Sequence, residues 1–348
     1  MTPLHIAGQT DVGRHRQDNQ DTFISVPLWS AHDALLVVID GVGGYAGGAQ
    51  AAALAKDAIV QYMATPTGDT LTMLREAVVH ANNQIIRHKQ QDPTLARMCC
   101  VLTAAVADTD ARRLLYVHVG DTRLYRFREQ RLDKLTHDHS LVGVREDANQ
   151  LTEREAMRHP RRNEILRDVG SVTHRVDDPD FLESGETDFL PGDGLLLCSD
   201  GLTDMLTRAQ LTDVLNQAIP VADQVDELIR QANEQGGYDN ITVVLAQYPA
   251  LSGVTTPELP ASPVSAAPQS VPVPTLVADS MPELVRVPAP TRNWLRGGVL
   301  LLLLISLAGA FWWQHESPAP APVPRRIVPV DSSVNSGRVN QPDSGRTP

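Results

Sequence analysis

The chain has 348 residues, room for one domain of about 250 residues plus appendages. Its net charge of −12 argues against sequence-independent binding to nucleic acid, so no nucleic-acid partner is expected. Its three cysteines, Cys99, Cys100 and Cys198, include an adjacent pair and are odd in number, which excludes a disulfide framework.

The opening stretch MTPLHIAGQTDVG has no apolar segment of the signal-peptide kind, so the first domain is expected in the cytoplasm. TDVGRHRQDNQD follows, with Arg16 three residues before Asn19 and five before Asp21. A guanidinium is the side chain best suited to bidentate contact with a phosphate, although a lone Arg in a polar loop is more often a solvated charge. Next, LLVVIDGVGGYAGG is an apolar run that ends on Asp40 and turns glycine-rich at Gly41. Apolar residues at 3.6 spacing predict helices over residues 48–63 and 71–90. Strands are predicted over 100–108 and 113–121, the second ending on Asp121, and over 123–136. The segment 187–200 reads as a further strand ending on Asp200. Helices are predicted over 208–218 and 221–234, and Asp239 precedes a β-branched strand over 241–248. Strands come in consecutive groups as well as singly between helices, which favours a layered α+β domain over a doubly wound parallel sheet.

Asp and Gly end strands simply because both suit turns. Here, however, Asp21, Asp40, Asp121, Asp200 and Asp239 come from separate segments, most of them at strand ends, and strand ends can converge. Two carboxylates about 4 Å apart repel by roughly 4 kcal/mol at an effective dielectric near 20, so a cluster needs a cation. Hard oxygen ligands suit Mg²⁺ or Mn²⁺, and two ions can share a bridging carboxylate. The triplet His137, Asp138, His139 has no accompanying Cys or carboxylate set, and no zinc site is expected there.

The remainder divides into three parts. Residues 250–293 are rich in Pro, Ser and Ala and read as a semi-extended linker. Residues 294–313 contain the uncharged stretch GGVLLLLLISLAGAFWW, with Trp294 before it and Phe311, Trp312 and Trp313 at its end, the pattern of a transmembrane helix with interfacial aromatics. Residues 314–348 are rich in Pro, Ser and Asn and are expected to be disordered. Arg286, Arg292 and Arg296 precede the apolar stretch and Arg325 and Arg326 follow it, too even a balance to orient it. Residues 251–348 hold seven Arg and six acidic residues, so the other 23 basic and 36 acidic residues leave the first 250 at −13.

The pieces GRHRQDNQD, VVIDGVGG, HVGDTRLYR, LTHDHSLV, LLLCSDGLTD and GGYDNITVVL occur in this order. Together they resemble the metal-dependent Ser/Thr protein phosphatases of the 2C type in their bacterial form, over about residues 4–248. The resemblance implies an α+β fold, a β-sandwich of two antiparallel sheets flanked by helices, here with one C-terminal transmembrane helix. It implies hydrolysis of phosphoserine and phosphothreonine in proteins by a metal-activated water, with Mn²⁺ or Mg²⁺ as two ions and a weaker third. By position, Asp40 matches the carboxylate that bridges the ions, and the Gly41 carbonyl matches a ligand. Asp200 and Asp239 match ligands of the other ion, Asp121 with Asp200 the third. Asp21 matches a water-orienting residue and Arg16 the phosphate-binding Arg. The expected partners are phosphoproteins, a bacterial Ser/Thr kinase and its substrates, and the membrane through the C-terminal helix. The expected location is the inner membrane, single-pass, with the catalytic domain cytoplasmic.

Three positions depart from the family pattern. Val42 stands where animal members often carry a His proposed as general acid, Gln20 replaces an acidic residue, and MCCVLT replaces a usual Gly-Thr-Thr stretch. Residues 141–170 match the mobile flap beside the cleft. A catalytically inactive scaffold is the alternative, but the metal carboxylates are all present. An aspartyl-nucleophile phosphatase would want a second Asp after Asp40, and IDGVGG lacks it.

Overall fold

Alternate residues of the run 34–39 enter two different cores. Ala34, Leu36 and Val38 pack with Leu195, Leu197, Val244 and Ala246. Leu35, Val37 and Ile39 pack with Ala51, Ala55, Ile59 and Leu74. A strand covered on both faces reads as an unbroken apolar run, which is how this segment stands out in the sequence.

The structure, a computed structural model, describes residues 4–43 and 47–250. Its strands form two five-stranded sheets, each antiparallel throughout. The first runs β1 (His5–Asp11), β10 (Ile241–Gln247), β9 (Gly194–Cys198), β6 (Arg123–Arg128), β7 (Arg131–Lys134). The second runs β2 (Thr22–Pro27), β3 (Asp33–Val42), β4 (Cys99–Asp108), β5 (Arg113–Val119), β8 (Glu183–Asp188). Between them lies one apolar layer. Helices α1 (Gly47–Met63) and α2 (Thr70–Gln91) cover the second sheet. Helices α6 (Arg208–Leu215) and α7 (Val221–Glu234) cover the first. The α+β sandwich expected from the sequence is therefore present. The predicted linker, membrane span and tail lie outside the described residues. Among the described residues no helix is long and apolar enough to cross a membrane.

Several boundaries differ from expectation. Residues 123–136 are not one strand but a hairpin, because Glu129 and Gln130 both take positive φ, 50° and 62°, between the paired Arg128 and Arg131. That is the two-residue turn whose twist matches the flanking strands. Residues 187–200 are also broken: β8 ends at Asp188, and Pro191 with Gly192 at φ +96° turns the chain before β9 starts. Helix α6 stops at Leu215 rather than 218; Pro220 follows and disfavours helical backbone just before it. Strands β1, β2 and β8 were not anticipated. All are edge strands, and β8, ESGETD, is mostly polar. The flap region contains two short helices, α3 (Leu141–Asp147) and α4 (Glu153–Met157), whose N-caps are Ser140 and Thr152.

Leu36→Ala empties a fully buried position between the sheets and should cost about 2–5 kcal/mol in urea unfolding. Val60→Ala, on the exposed side of α1, should change stability by no more than about 0.5 kcal/mol. Equal effects would show that the sheets do not share this core.

Candidate active site

A cleft of about 210 Å³ lies at one end of the sandwich, lined by Arg16, Asp40, Gly41, Asp121, Asp200 and Asp239. Asp40 and Gly41 close β3, opposite Val101 and Cys100 of β4. Asp121 occupies the turn from β5 to β6. Asp200 follows β9 and opens the short helix α5 (Asp200–Thr203), while Asp239 stands two residues before β10 starts. The strand ends of both sheets thus deliver the carboxylates to one place. Asp21 is buried beside them, just before β2. All the residues read from the sequence as site residues are brought together.

The rim is stitched from two loops. Asn240 donates from Nδ2 to the carbonyls of Val12 and Asp18, each at 3.0 Å, and its Oδ1 accepts from the Gln20 N–H at 2.8 Å. The Arg14 N–H donates to the Gly237 carbonyl at 2.7 Å. Gly13, at φ +79°, has no room for a side chain, since a Cβ would lie 2.1 Å from the Asp239 carbonyl oxygen. This close approach sets Arg16 against Asp239, with Nη2 donating to Oδ2 at 2.7 Å. A directed hydroxyl chain fixes Asp21: Asn19 Nδ2 donates to Thr10 Oγ1 at 2.9 Å, and Thr242 Oγ1, 2.7 Å from Thr10 Oγ1, donates to Asp21 Oδ2 at 2.7 Å.

The electrostatics are those of crowded anions. Burial, reinforced by the charges of Asp21, Asp200, Asp121 and Asp239, pushes the Asp40 carboxyl well above the usual carboxylate range. Burial and the charges of Asp204, Asp121, Asp239 and Asp21 do the same to Asp200. Asp21 is pushed up to about 6 by burial, partly offset by its bond from Thr242. Asp121 is pushed up to about 7, again by burial first and then by Asp138. Asp200 Oδ1 is buried without a hydrogen-bond partner. An acceptor-only group so placed lacks only a cation. A Cβ on Gly41 would lie 2.2 Å from the Gly48 carbonyl oxygen and 2.6 Å from that of Gln20, so only glycine allows the loop to close against α1. The donor set, all oxygen, fits Mn²⁺ or Mg²⁺.

One acidic member was missed in the sequence. Asp204 stands four residues after Asp200, a helical turn on, and burial raises its carboxyl although Arg162 of the flap donates to it from Nε at 2.6 Å. The DGLTD spacing carried that signal. Asn163 and Ile165, also from the flap, line the cleft, and no periodicity marked them. Val42 lines it too and, as expected of an apolar side chain, offers no proton.

A family model described as protein phosphatase 2C matches residues 11–246. The chain is 37% identical over 247 residues to protein phosphatase PhpP of Streptococcus pneumoniae, covering 70% of this chain and 96% of that one. Among solved structures, the serine/threonine phosphatase PstP/Ppp of Mycobacterium tuberculosis is similar with a TM-score of 0.63 at 32% identity, covering 71% of this chain and 100% of that one. A crystal structure of the PstP catalytic domain in complex with 2 manganese ions is similar with a TM-score of 0.61 at 31% identity, covering 70% of this chain and 98% of that one.

The raised carboxyls set the sign of a pH dependence. Asp21 and Asp121 bind protons more tightly folded than unfolded, so in chelator the folded chain carries excess protons between about pH 4 and pH 7. Stability should therefore fall as pH rises through that window. In EDTA the melting temperature should be lower at pH 7.5 than at pH 5.5, and Mn²⁺ should restore it at pH 7.5. Asp40→Asn should raise the melting temperature in EDTA at pH 7.5 and shrink the Mn²⁺ response. A melting temperature in EDTA that climbs across this window would contradict the clustering.

Proposed function

The chain belongs to the protein phosphatase 2C family and is a Ser/Thr protein phosphatase, and from that premise we propose which residues do the work and where. The observation that carries the reading is the convergence of Asp40, Asp121, Asp200 and Asp239 with Arg16 on one cleft. Asp40, the Gly41 carbonyl, Asp200 and Asp239 would hold two Mn²⁺ or Mg²⁺ ions, and Asp121, Asp200 and Asp204 a weaker third. When bound, the ions supply Lewis acidity toward the phosphoryl oxygens and lower the pKa of water.

The rest falls to the chain. Arg16 presents a planar fork at the cleft mouth, half-exposed, and exchanges its contact with Asp239 for the substrate phosphate. This holds the phosphorus in line with the attacking water. Asp21, fixed by Thr242 and next to Asp40, would orient the attacking water. Water adds to phosphorus as the bond to the seryl or threonyl oxygen breaks, and no phosphorylated side chain intervenes. The attacking water gives up a proton to solvent and the leaving alkoxide takes one up from water or another group, since Val42 has none to give.

We further infer that the enzyme is anchored in the inner membrane by residues 294–313, with the catalytic domain cytoplasmic and residues 314–348 across the bilayer. The support is the uncharged 297–313 stretch and its flanking tryptophans. A linker of about 40 residues would let the phosphatase reach a membrane-bound Ser/Thr kinase and its substrates.

The full-length chain should hydrolyse a phosphothreonine peptide only with Mn²⁺ or Mg²⁺, and Asp40→Asn should lower kcat at least about 100-fold. Undiminished turnover in excess chelator would sink the reading. Arg16→Lys keeps the charge but loses the fork, so KM should rise about tenfold with Mn²⁺ affinity little changed. For topology, a reporter that works only after export, fused after Pro348, should be active. Activity instead from a reporter confined to the cytoplasm would remove the anchor model.

A further inference from the structure

The His137–Asp138–His139 triplet is not used by the chemistry above, yet it lies against the turn that carries Asp121. That turn is unusual: Gly120 has φ +109°, and a Cβ there would sit 2.2 Å from Val101 Cβ. Glycine enters this backbone region freely and leaves it as freely, so bonds from neighbours are what fix it. His139 does so twice. Its N–H donates to the Gly120 carbonyl at 2.5 Å, and its Nδ1 accepts from the Gly120 N–H at 3.2 Å. On the far side of the ring Arg167 Nη1 lies 3.4 Å from Nε2. Burial, first among several causes, keeps this imidazole neutral, its pKa lowered to about 3. On the other side of Asp121, Arg123 donates to Asp138 from Nε at 2.9 Å and from Nη2 at 2.6 Å. The backbone before Asp121 is thus tied to His139, and the side chain of Arg123 after it to Asp138.

His139 also reaches the flap, its carbonyl accepting from the Leu166 N–H at 2.7 Å, next to Ile165 of the cleft wall. His118, His139 and Glu183 each place a donor atom within 4.8 Å of the others, as a metal site would. The site fails on available lone pairs. His118 Nδ1 is 2.9 Å from Thr103 Oγ1 and Nε2 is 3.1 Å from the His137 carbonyl, so both nitrogens are engaged. His139 Nδ1 is taken by Gly120. The triplet is better suited to holding backbone than to holding zinc.

We propose that His139 is a positioning residue for Asp121, setting the affinity of the weaker cation site through its paired bonds to Gly120 and linking that site to the flap. This rests on the reading above that Asp121 is a cation ligand. Groups that orient a metal ligand typically change metal affinity roughly 10–100-fold when removed.

The test is Mn²⁺ titration of the full-length chain, following the free ion by electron paramagnetic resonance, which needs no turnover. Wild type should show tight sites and a weaker one, and Asp121→Asn should abolish the weaker one. His139→Leu should weaken that site about 10–100-fold and leave the tight sites unchanged. His139→Asn, whose Oδ1 occupies the position of Nδ1, should stay within about threefold of wild type. If His139→Leu does not fold, His139→Gln replaces it; its acceptor lies one methylene too far and should give the same loss. Wild-type affinity in the Leu or Gln variant overturns the proposal while leaving the role of Asp121 intact, as does an Asn variant as weak as the Leu one. A weaker site that survives Asp121→Asn removes the underlying reading, and the proposal with it.

Discussion

Carboxylates gathered out of water repel one another, and the architecture of this protein is organised around forcing that gathering. Asp21, Asp40, Asp121 and Asp200 are all buried or nearly so at one end of the sandwich, and burial with mutual charge raises each above the usual carboxylate range. A chain left to itself would spread these groups into solvent. The two sheets prevent it, because β3, β5 and β9 are locked at both faces by apolar packing and their ends are fixed in space. The carboxylates can relax only by taking up protons or cations, which makes cation binding a structural as well as a catalytic event.

Local stitching completes what the sheets begin. Asn240 alone joins three residues of the N-terminal loop, Val12, Asp18 and Gln20. Glycines at 13, 41 and 120 stand where a Cβ would overlap backbone or a neighbouring side chain by a wide margin. Arg16 is delivered to the rim on the same loop, so the fork proposed to bind phosphate and Asp239 share one support. On the flap side, Arg123 is paired with Asp138 and with Glu146 of α3, which ties the turn bearing Asp121 to the first flap helix. Preorganisation of this kind is what electrostatic catalysis of phosphoryl transfer requires.

The legible parts of the sequence were those where one physical cause dominates. Double-sided burial made β3, β4, β9 and β10 visible as apolar runs, and the Asp at the end of such a run signalled the cleft. Helices α1, α2 and α7 were visible through their apolar stripes. Edge strands β1, β2 and β8 carried no such signal, since one side of their ladder and part of their surface face water. The β6–β7 turn was hidden because Glu129 and Gln130 are not the residues that usually announce positive φ. Asp204 escaped although it stands one helical turn after Asp200, because its ion-pair partner Arg162 meets it only in three dimensions. The His-x-His pattern was rightly not read as a zinc site, but nothing in the sequence showed that the ring and backbone of His139 meet Gly120.

Everything above depends on the strand-end carboxylates being a cation site rather than a coincidence of turns. Anomalous diffraction from crystals of the full-length chain soaked in Mn²⁺ tests it most directly. The expected result is manganese peaks at about 2.0–2.2 Å from oxygens of Asp40, Asp200 and Asp239 and the Gly41 carbonyl. A cleft without manganese, or manganese bound instead among His118, His139 and Glu183, would contradict it.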